Sequence, residues 1–437
     1  MKRTLLAAAA SCAALSVATL SSAALAQTYA VTNARLLVTG EADDPGMIRG
    51  GTVVIEDGVI TAIGRDVRVP SSAEIIDAEG RAVTPGLFAA LSGVGLEEIG
   101  LNREGNDRSA RGEGALSASL DAADGFYADS SVIPVSRAGG VTRAYVAPDP
   151  GSDLFGGCGM VVDLSGAGDP ITERCLAQTV SLGYSGASRA GDSRPAAMAR
   201  LRRALEDAAL YAEDPERYRE TYEEGRLPLT DARALAPVLT GEQKLLAEVH
   251  GASDIRRVLD LARRYDIDLV LFGATEAYRV AGRIAEQDVP VILFPLANLP
   301  DRFEQLGATL NAAAALEEAG VTVAFYDNDI GYTHNVRALP QLAGNAVANG
   351  MSYGAALSAI TANPAIIWGL SDELGTLAAG KKADLVIWSG DPLELMSAPE
   401  AVFIDGERAS LENRQTALTR RYRDLQRGDK PFAYRGD

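Results

Sequence analysis

Near both ends of the chain apolar residues fall in short, alternating runs, whereas the middle carries fully apolar runs separated by stretches of helical spacing. Thr52-Val53-Val54-Ile55-Glu56 and Val59-Ile60-Thr61-Ala62-Ile63 flank Asp57-Gly58, a dipeptide that readily takes the positive φ angles of a two-residue hairpin turn. Strand-like runs return at residues 383–388 and 401–406. Between the two ends the pattern predicts buried strands at 141–146, 160–164, 245–249, 269–272, 289–294 and 321–325. Ile255-Val258-Leu259-Ala262 and Tyr278-Ala281-Ile284-Ala285 keep spacings of three and four, which gather apolar side chains on one helix face. Buried strands alternating with such helices imply a parallel sheet. About 280 residues for this section suit an eight-stranded barrel better than an open sheet, although the pattern alone leaves a doubly wound sheet open.

Residues 193–236 interrupt this rhythm. Ser193 and Pro195 supply a helix start, and Met198, Leu201, Leu205, Ala208 and Ala212 continue at helical spacing,. A charged stretch with Tyr218 and Tyr222 four apart follows. The segment reads as a helical insertion on a barrel loop, either covering a site or decorating the surface. Gly156-Gly157-Cys158-Gly159 lacks the residues of a phosphate loop and reads as a tight βα turn.

Lys2 and Arg3 precede an apolar run from Leu5 to Leu20 and then Ala24-Leu25-Ala26. That is the layout of a secretory signal cut before Gln27, so a periplasmic or secreted protein is expected. No other run approaches about 18 apolar residues, so membrane insertion is not expected. In an oxidising compartment Cys158 and Cys175 either pair or stay as two buried thiols. The 41 Lys and Arg against 59 Asp and Glu leave a net charge of −18, which repels phosphate backbones and argues against nucleic-acid binding. Histidine is the most restrictive count. His250 and His334 are the only two, which forbids any site built from three or four imidazoles.

Several motifs together resemble the amidohydrolase superfamily, in its imidazolonepropionase-like branch. They are Val83-Thr84-Pro85-Gly86-Leu87, Ala138-Gly139-Gly140-Val141-Thr142, the run Ala356-Leu357-Ser358-Ala359-Ile360-Thr361-Ala362-Asn363-Pro364-Ala365, and the closing Leu374-Gly375-Thr376-Leu377 and Gly380-Lys381-Lys382-Ala383-Asp384-Leu385-Val386. The resemblance implies an α/β fold: a (β/α)8 TIM-like barrel over residues 85–365, and a small β-sandwich built from residues 27–84 and 366–410. A signal at 1–26 and a tail at 411–437, read as a helix packing back on the barrel, complete the organisation. The chemistry it implies is hydrolysis of C–N bonds by water held on one or two divalent metals.

At the ligand positions the sequence departs from that family. A catalytic zinc generally needs three protein ligands and an open position for water. The family's His-x-His after Pro-Gly-Leu falls on Leu91 and Gly93. Asp163 stands where a bridging lysine is expected, Phe272 where a histidine is expected, and Asp327, or Asp329, where the last aspartate is expected. His250 alone matches a family histidine. His334 is a further loop histidine. The expected fallback for a single weak metal, zinc or a harder ion, is His250, Asp163 and Asp327; otherwise no cofactor is expected. The sequence therefore reads as an exported member of this family without its binuclear site, retained as a binding or assembly module for a small molecule or an envelope protein. The lost-ligand positions Asp163, Phe272, Leu91 and Gly93 would line its mouth, and a homo-oligomer is compatible with this. The alternative is a hydrolase of cyclic amides or related C–N bonds, with one weak metal or with His250 and Asp327 as acid and base.

Overall fold

The computed structural model describes residues 27–39, 46–100, 102–112, 117–223, 225–328 and 335–423. The expected signal, Asp329, His334 and the last part of the tail lie outside the described residues.

Both ends of the chain contribute to one sheet. Its strands are β1 (Tyr29–Leu37), β2 (Met47–Glu56), β3 (Val59–Gly64), β4 (Glu74–Asp77), β5 (Ala82–Pro85), β14 (Leu385–Trp388), β15 (Pro399–Ile404) and β16 (Glu407–Arg408). They hydrogen-bond in the order β16-β15-β14-β5-β1-β2-β3, with β4 beside β1. Asp57 and Gly58 make the β2–β3 turn with φ of 51° and 84°, as their pattern predicts. The expected two-part domain is thus present as a single eight-stranded sheet around a core that includes Leu36, Ile55, Ile60, Leu385 and Phe403.

The second sheet is a nearly closed barrel in the order β13-β12-β11-β10-β9-β8-β7-β6. Its strands are β6 (Leu87–Ser92), β7 (Val141–Val146), β8 (Phe155–Asp163), β9 (Ile171–Ser181), β10 (Lys244–Val249), β11 (Leu269–Gly273), β12 (Val291–Leu293) and β13 (Val323–Phe325). Backbone at Ala359 and Ile360 bridges the seam, accepting from Phe325 N–H at 3.2 Å and Phe88 N–H at 2.9 Å. Side chains alternate across the barrel wall as the pleat requires. Phe88, Tyr145, Leu246, Val270 and Ile292 fill the inside, while Leu87, Ala144, Leu245, Leu271 and Val291 meet the surrounding helices.

One strand overturns the expectation of an all-parallel barrel. β8 runs antiparallel to both β7 and β9, so residues 155–181 form a hairpin, and β9 went unseen in the sequence. The glycines at 156–159 lie inside β8 rather than in a βα turn. A Cβ on Gly159 would collide with the Tyr145 hydroxyl, and Gly157, at φ 103°, lies against the Leu120 carbonyl. Glycine here lets the reversed strand pack closely against its neighbours. Cys158 and Cys175 are disulfide-bonded across this hairpin, with Cα atoms 4.8 Å apart.

Of the helices, α1 (Val132–Ala138) leads into β7, and α2 (Gly183–Ser188) follows β9 directly. The segment read as an insertion forms α3 (Arg194–Glu213), α4 (Pro215–Glu220) and α5 (Leu229–Thr240). The Ser193 side chain caps α3, which buries Ala197, Leu201, Ala204, Leu205 and Ala208 along one face,. Asp231 on α5 ties this unit to the preceding loop, accepting from Ser117 Oγ at 3.1 Å and Ser119 N–H at 2.9 Å. α6 (Ala252–Tyr265) starts two residues after His250. No helix among the described residues is long and apolar enough to cross a membrane.

The two sheets are joined by a buried ion pair. Arg143 on β7 donates to both carboxylate oxygens of Asp384 at 2.7 and 3.1 Å and reaches Asp405 at 2.6 Å. Burial opposes ionisation of Asp384, but the Arg143 charge and hydrogen bonds hold its pKa below the usual carboxylate range. An aspartate so depressed adds stability above its unfolded pKa and loses it as pH falls through the folded value. Asp384→Asn is expected to cost about 3–5 kcal/mol at pH 7, the range for removing one partner of a buried pair. Urea unfolding at pH 7 and pH 3 checks this, with the difference between wild type and variant shrinking at the lower pH.

Candidate functional site

The strands that run parallel deliver their C-terminal ends to one mouth, where a cavity of about 490 Å³ opens. Strand alternation explains its floor. On β10, Leu246 points inward, so Glu248 follows on the same face and His250 continues it just past the strand end. Phe272 follows Val270 on β11 in the same way. Leu91, Ala147, Thr179, Phe272 and Tyr326 line the cavity together with Glu248 and His250. Beneath them the barrel is filled. Tyr145 and Trp368 stack with ring centroids 3.6 Å apart, and the Trp368 indole donates to the Ala90 carbonyl at 2.9 Å.

His250 is held from several sides. Its Nδ1 lies 2.9 Å from Thr275 Oγ1 and 3.3 Å from the Gln305 amide nitrogen. Both partners offer a donor to Nδ1, which places the ring proton on Nε2. Nε2 faces Glu248 Oε1 at 3.6 Å. Gly273 makes room for the ring, since a Cβ there would stand 2.6 Å from His250 Cε1. Glu248 accepts in addition from Ser181 Oγ and from Ser185 Oγ at 3.3 Å. Burial works to raise its pKa, but His250, then Ser181 and Arg189, outweigh it and hold the carboxyl below its ordinary range. Glu304, which accepts from Tyr184 N–H at 2.7 Å, is shifted the other way, chiefly by burial.

Four arginines reach the cavity. Arg108 is neutralised by Glu97 at 2.8 Å and Asp149 at 2.7 Å. Arg189 instead donates to the carbonyls of Gly151, Ser185 and Pro150 at 3.1, 2.7 and 2.9 Å. Arg302 donates to Ser185 Oγ, and Arg111 to Ser109 Oγ at 3.1 Å.

The structure brings only some of the sequence candidates together. Leu91, Phe272 and His250 share the cavity wall, and Gly93 is buried just beyond β6. Asp327 is buried between Tyr326 and Asn328, which both line the cavity. Asp163 is elsewhere. Because β8 is reversed, Asp163 pairs with Arg143 at the start of β7, the end of the barrel opposite His250, where it caps a turn by accepting from Ser165 N–H at 2.8 Å. The fallback set of His250, Asp163 and Asp327 therefore does not converge. Among the described residues the one trio of His, Cys, Asp or Glu within ligand reach is Asp121, Cys158 and Cys175, and its two sulfurs are bonded to each other. Among the described residues no set of ligands for a pair of catalytic metals comes together. None of the insertion's described residues lines this cavity; α2, just before it, does so through Tyr184, Ser185 and Ser188.

Residues 268–411 match the Amidohydrolase family. Over 391 residues the chain is 25% identical to the amidohydrolase tasK of Hapsidospora irregularis, which covers 82% of this chain and 39% of that protein. An imidazolonepropionase of Sphingopyxis alaskensis is 38% identical over 84 residues, 19% of this chain and 21% of that protein. The chain thus spans about two fifths of the first of these relatives and about one fifth of the second. The solved amidohydrolase of Thermotoga maritima superposes with a TM-score of 0.76 at 26% identity, covering 87% of this chain and 99% of that one. A barrel of this kind, joined to a sheet made from both chain ends, is the amidohydrolase architecture. The fold is amidohydrolase-like, and residues 268–411 carry the family match.

Glu248 was missed in the sequence, although its spacing to His250 places both on one strand face. Thr179, Arg189 and Arg302 had no local signal, because the hairpin and loops that deliver them are set by tertiary packing. Since the Glu248 carboxyl is held ionised, it adds stability above its unfolded pKa that is lost as pH falls through its lower folded value. Glu248→Gln should therefore flatten the acid side of the stability profile by about 1 kcal/mol, read as melting temperature against pH from 7 down to 3.

Proposed function

We propose that this protein is an exported, non-catalytic amidohydrolase-family member that uses its barrel mouth to bind a small molecule, in the periplasm or outside the cell. The supporting observation is the donor set at the mouth. Leu91, Gly93 and Phe272 take positions where the family places metal-binding histidines, and none offers a lone pair to a metal. His250 spends Nδ1 on Thr275 and Gln305, and Asp163 stands at the far end of the barrel. What remains is a cavity with an apolar floor and a few fixed polar groups, the usual make-up of a small-molecule site. Envelope protein partners and a homo-oligomer remain compatible with this reading.

One observation favours a second reading, a metal-free hydrolase of cyclic amides or related C–N bonds. An ionised Glu248 facing the Nε2 side of His250 is an arrangement suited to proton transfer,. It makes Glu248, rather than Asp327, the partner of His250. Elemental analysis of the purified protein is expected to find well under one divalent ion per chain. Amides, cyclic imides and dipeptides should show no turnover above buffer. Hydrolysis lost in both His250→Ala and Glu248→Gln would establish the second reading, and a stoichiometric metal would defeat both.

A further inference from the structure

We infer that the mouth selects an organic carboxylate, with its anionic head among Arg302, Arg111 and Arg189 and its apolar body against Leu91, Phe272 and Tyr326. The inference rests on the small-molecule reading above and names the chemical class of the ligand.

The first support is charge. The whole chain carries −18, yet four arginines and two carboxylates, Asp149 and Glu248, line the cavity. Arg108 is balanced by its two acidic partners. Counting Glu97, four arginines meet three carboxylates, Glu97, Asp149 and Glu248, while Asp327 and Glu304 are buried close by; Arg111, Arg189 and Arg302 are the cations left to a ligand. Among the described residues none of these three forms a salt bridge with a carboxylate. Guanidinium groups without a carboxylate partner at the rim of a cavity attract small anions.

The second support is unused hydrogen-bonding capacity. A guanidinium has five N–H donors. Arg189 spends most of its own on backbone carbonyls, so it acts as a fixed charge. Arg302 and Arg111, both exposed, each spend one donor on a serine hydroxyl. Their remaining N–H groups suit two-point recognition of a carboxylate. On the floor, Thr179 is 2% exposed, lines the cavity, and its hydroxyl has no hydrogen-bond partner. A buried polar group in that state calls for a partner, and a ligand oxygen or a ligand-held water would supply one.

The third support is shape. Leu91, Phe272 and Tyr326 form an apolar wall in the same cavity, with Phe272 and Tyr326 meeting edge to face at 6.3 Å between ring centroids. Inorganic phosphate has nothing to place there. An acid with a hydrocarbon or aromatic body does.

Titration calorimetry on the purified protein tests this with three probes: 4-phenylbutyrate, the neutral 4-phenylbutyramide, and inorganic phosphate. Phenylbutyrate should bind at least tenfold more tightly than the amide or phosphate, and more weakly as salt rises. Arg302→Gln and Arg111→Gln, two exposed positions expected to fold normally, should each weaken phenylbutyrate at least tenfold. Phe272→Ala should weaken phenylbutyrate and leave phosphate unaffected. Equal binding of acid and amide would overturn the anion assignment while leaving small-molecule binding intact. Phosphate binding as tightly as phenylbutyrate would show a simple inorganic-anion site, and binding of neither would also overturn the inference. The underlying non-catalytic reading fails separately, on bound metal or turnover, whatever these titrations show.

Discussion

The pairing of Arg143 with Asp384 and Asp405 decides which end of the barrel stays open. Arg143 is almost completely buried at the base of the barrel, and a buried guanidinium is tolerable only if its charge is met by carboxylates. Asp384 meets it from the composite sheet, and the same aspartate accepts from the Asp405 N–H while its carbonyl receives the Gly86 N–H. One interaction thus fixes the sheet against the barrel, sets the entry of β6, and closes the lower end. With the Tyr145–Trp368 stack above it, the interior is solid up to the level of Glu248. Within the barrel, only the mouth is left for a ligand.

The reversal of β8 is the second constraint, and it changes the mouth's donor list. A strand entering the mouth end brings its last residues to the base, so Asp163 is carried away from His250. The residues that reach the rim instead come from β9 and α2, among them Thr179, Ser181, Ser185 and the following Arg189. Ser181 and Ser185 then serve Glu248, and Ser185 also anchors Arg302. The hairpin therefore replaces a carboxylate with hydroxyls and brings one of the three arginines that form no salt bridge among the described residues. The disulfide between Cys158 and Cys175 ties the two strands that make this exchange.

Legibility in the sequence followed the range of the forces involved. The Asp57-Gly58 hairpin and the strands at 141–146, 245–249 and 269–272 depend on local turn chemistry and pleat alternation, and the observed strands match them closely. The Asp384 motif was visible as a signature, but its role required knowing that Arg143 lies opposite. β8 misled for a physical reason. A buried run reads the same in either direction, and glycines placed for close packing against Tyr145 and Leu120 look like turn glycines. Candidate ligands inherited that error, so Asp163 was assigned to the wrong end. Leu91 and Phe272 lay on strands whose direction was read correctly, and both line the mouth. The arginines were illegible because Arg111 and Arg302 come from loops and Arg189 from a helix end, where no periodicity reports orientation.

A divalent metal pair does two things in a barrel mouth: it attracts anions, and it makes bound water acidic enough to attack. The first needs only positive charge; the second needs lone-pair coordination by the water itself. Guanidinium groups supply charge and directional donors, and they neither accept a lone pair from water nor give up a proton near neutral pH. On the proposed reading, Arg111, Arg189 and Arg302 keep the attraction while Leu91, Gly93 and Phe272 remove the means of activation. His250 fits the same division. With Nδ1 engaged by Thr275 and Gln305, the imidazole works as a fixed donor beside Glu248, holding that carboxylate ionised. The negative charge of Glu248 on the floor would then orient a ligand by repulsion, pressing its carboxylate toward the arginine rim and its apolar body toward Phe272 and Tyr326. Selectivity in such a site comes from an unlike pair of walls, and a barrel with fixed strands holds those walls apart at low entropic cost.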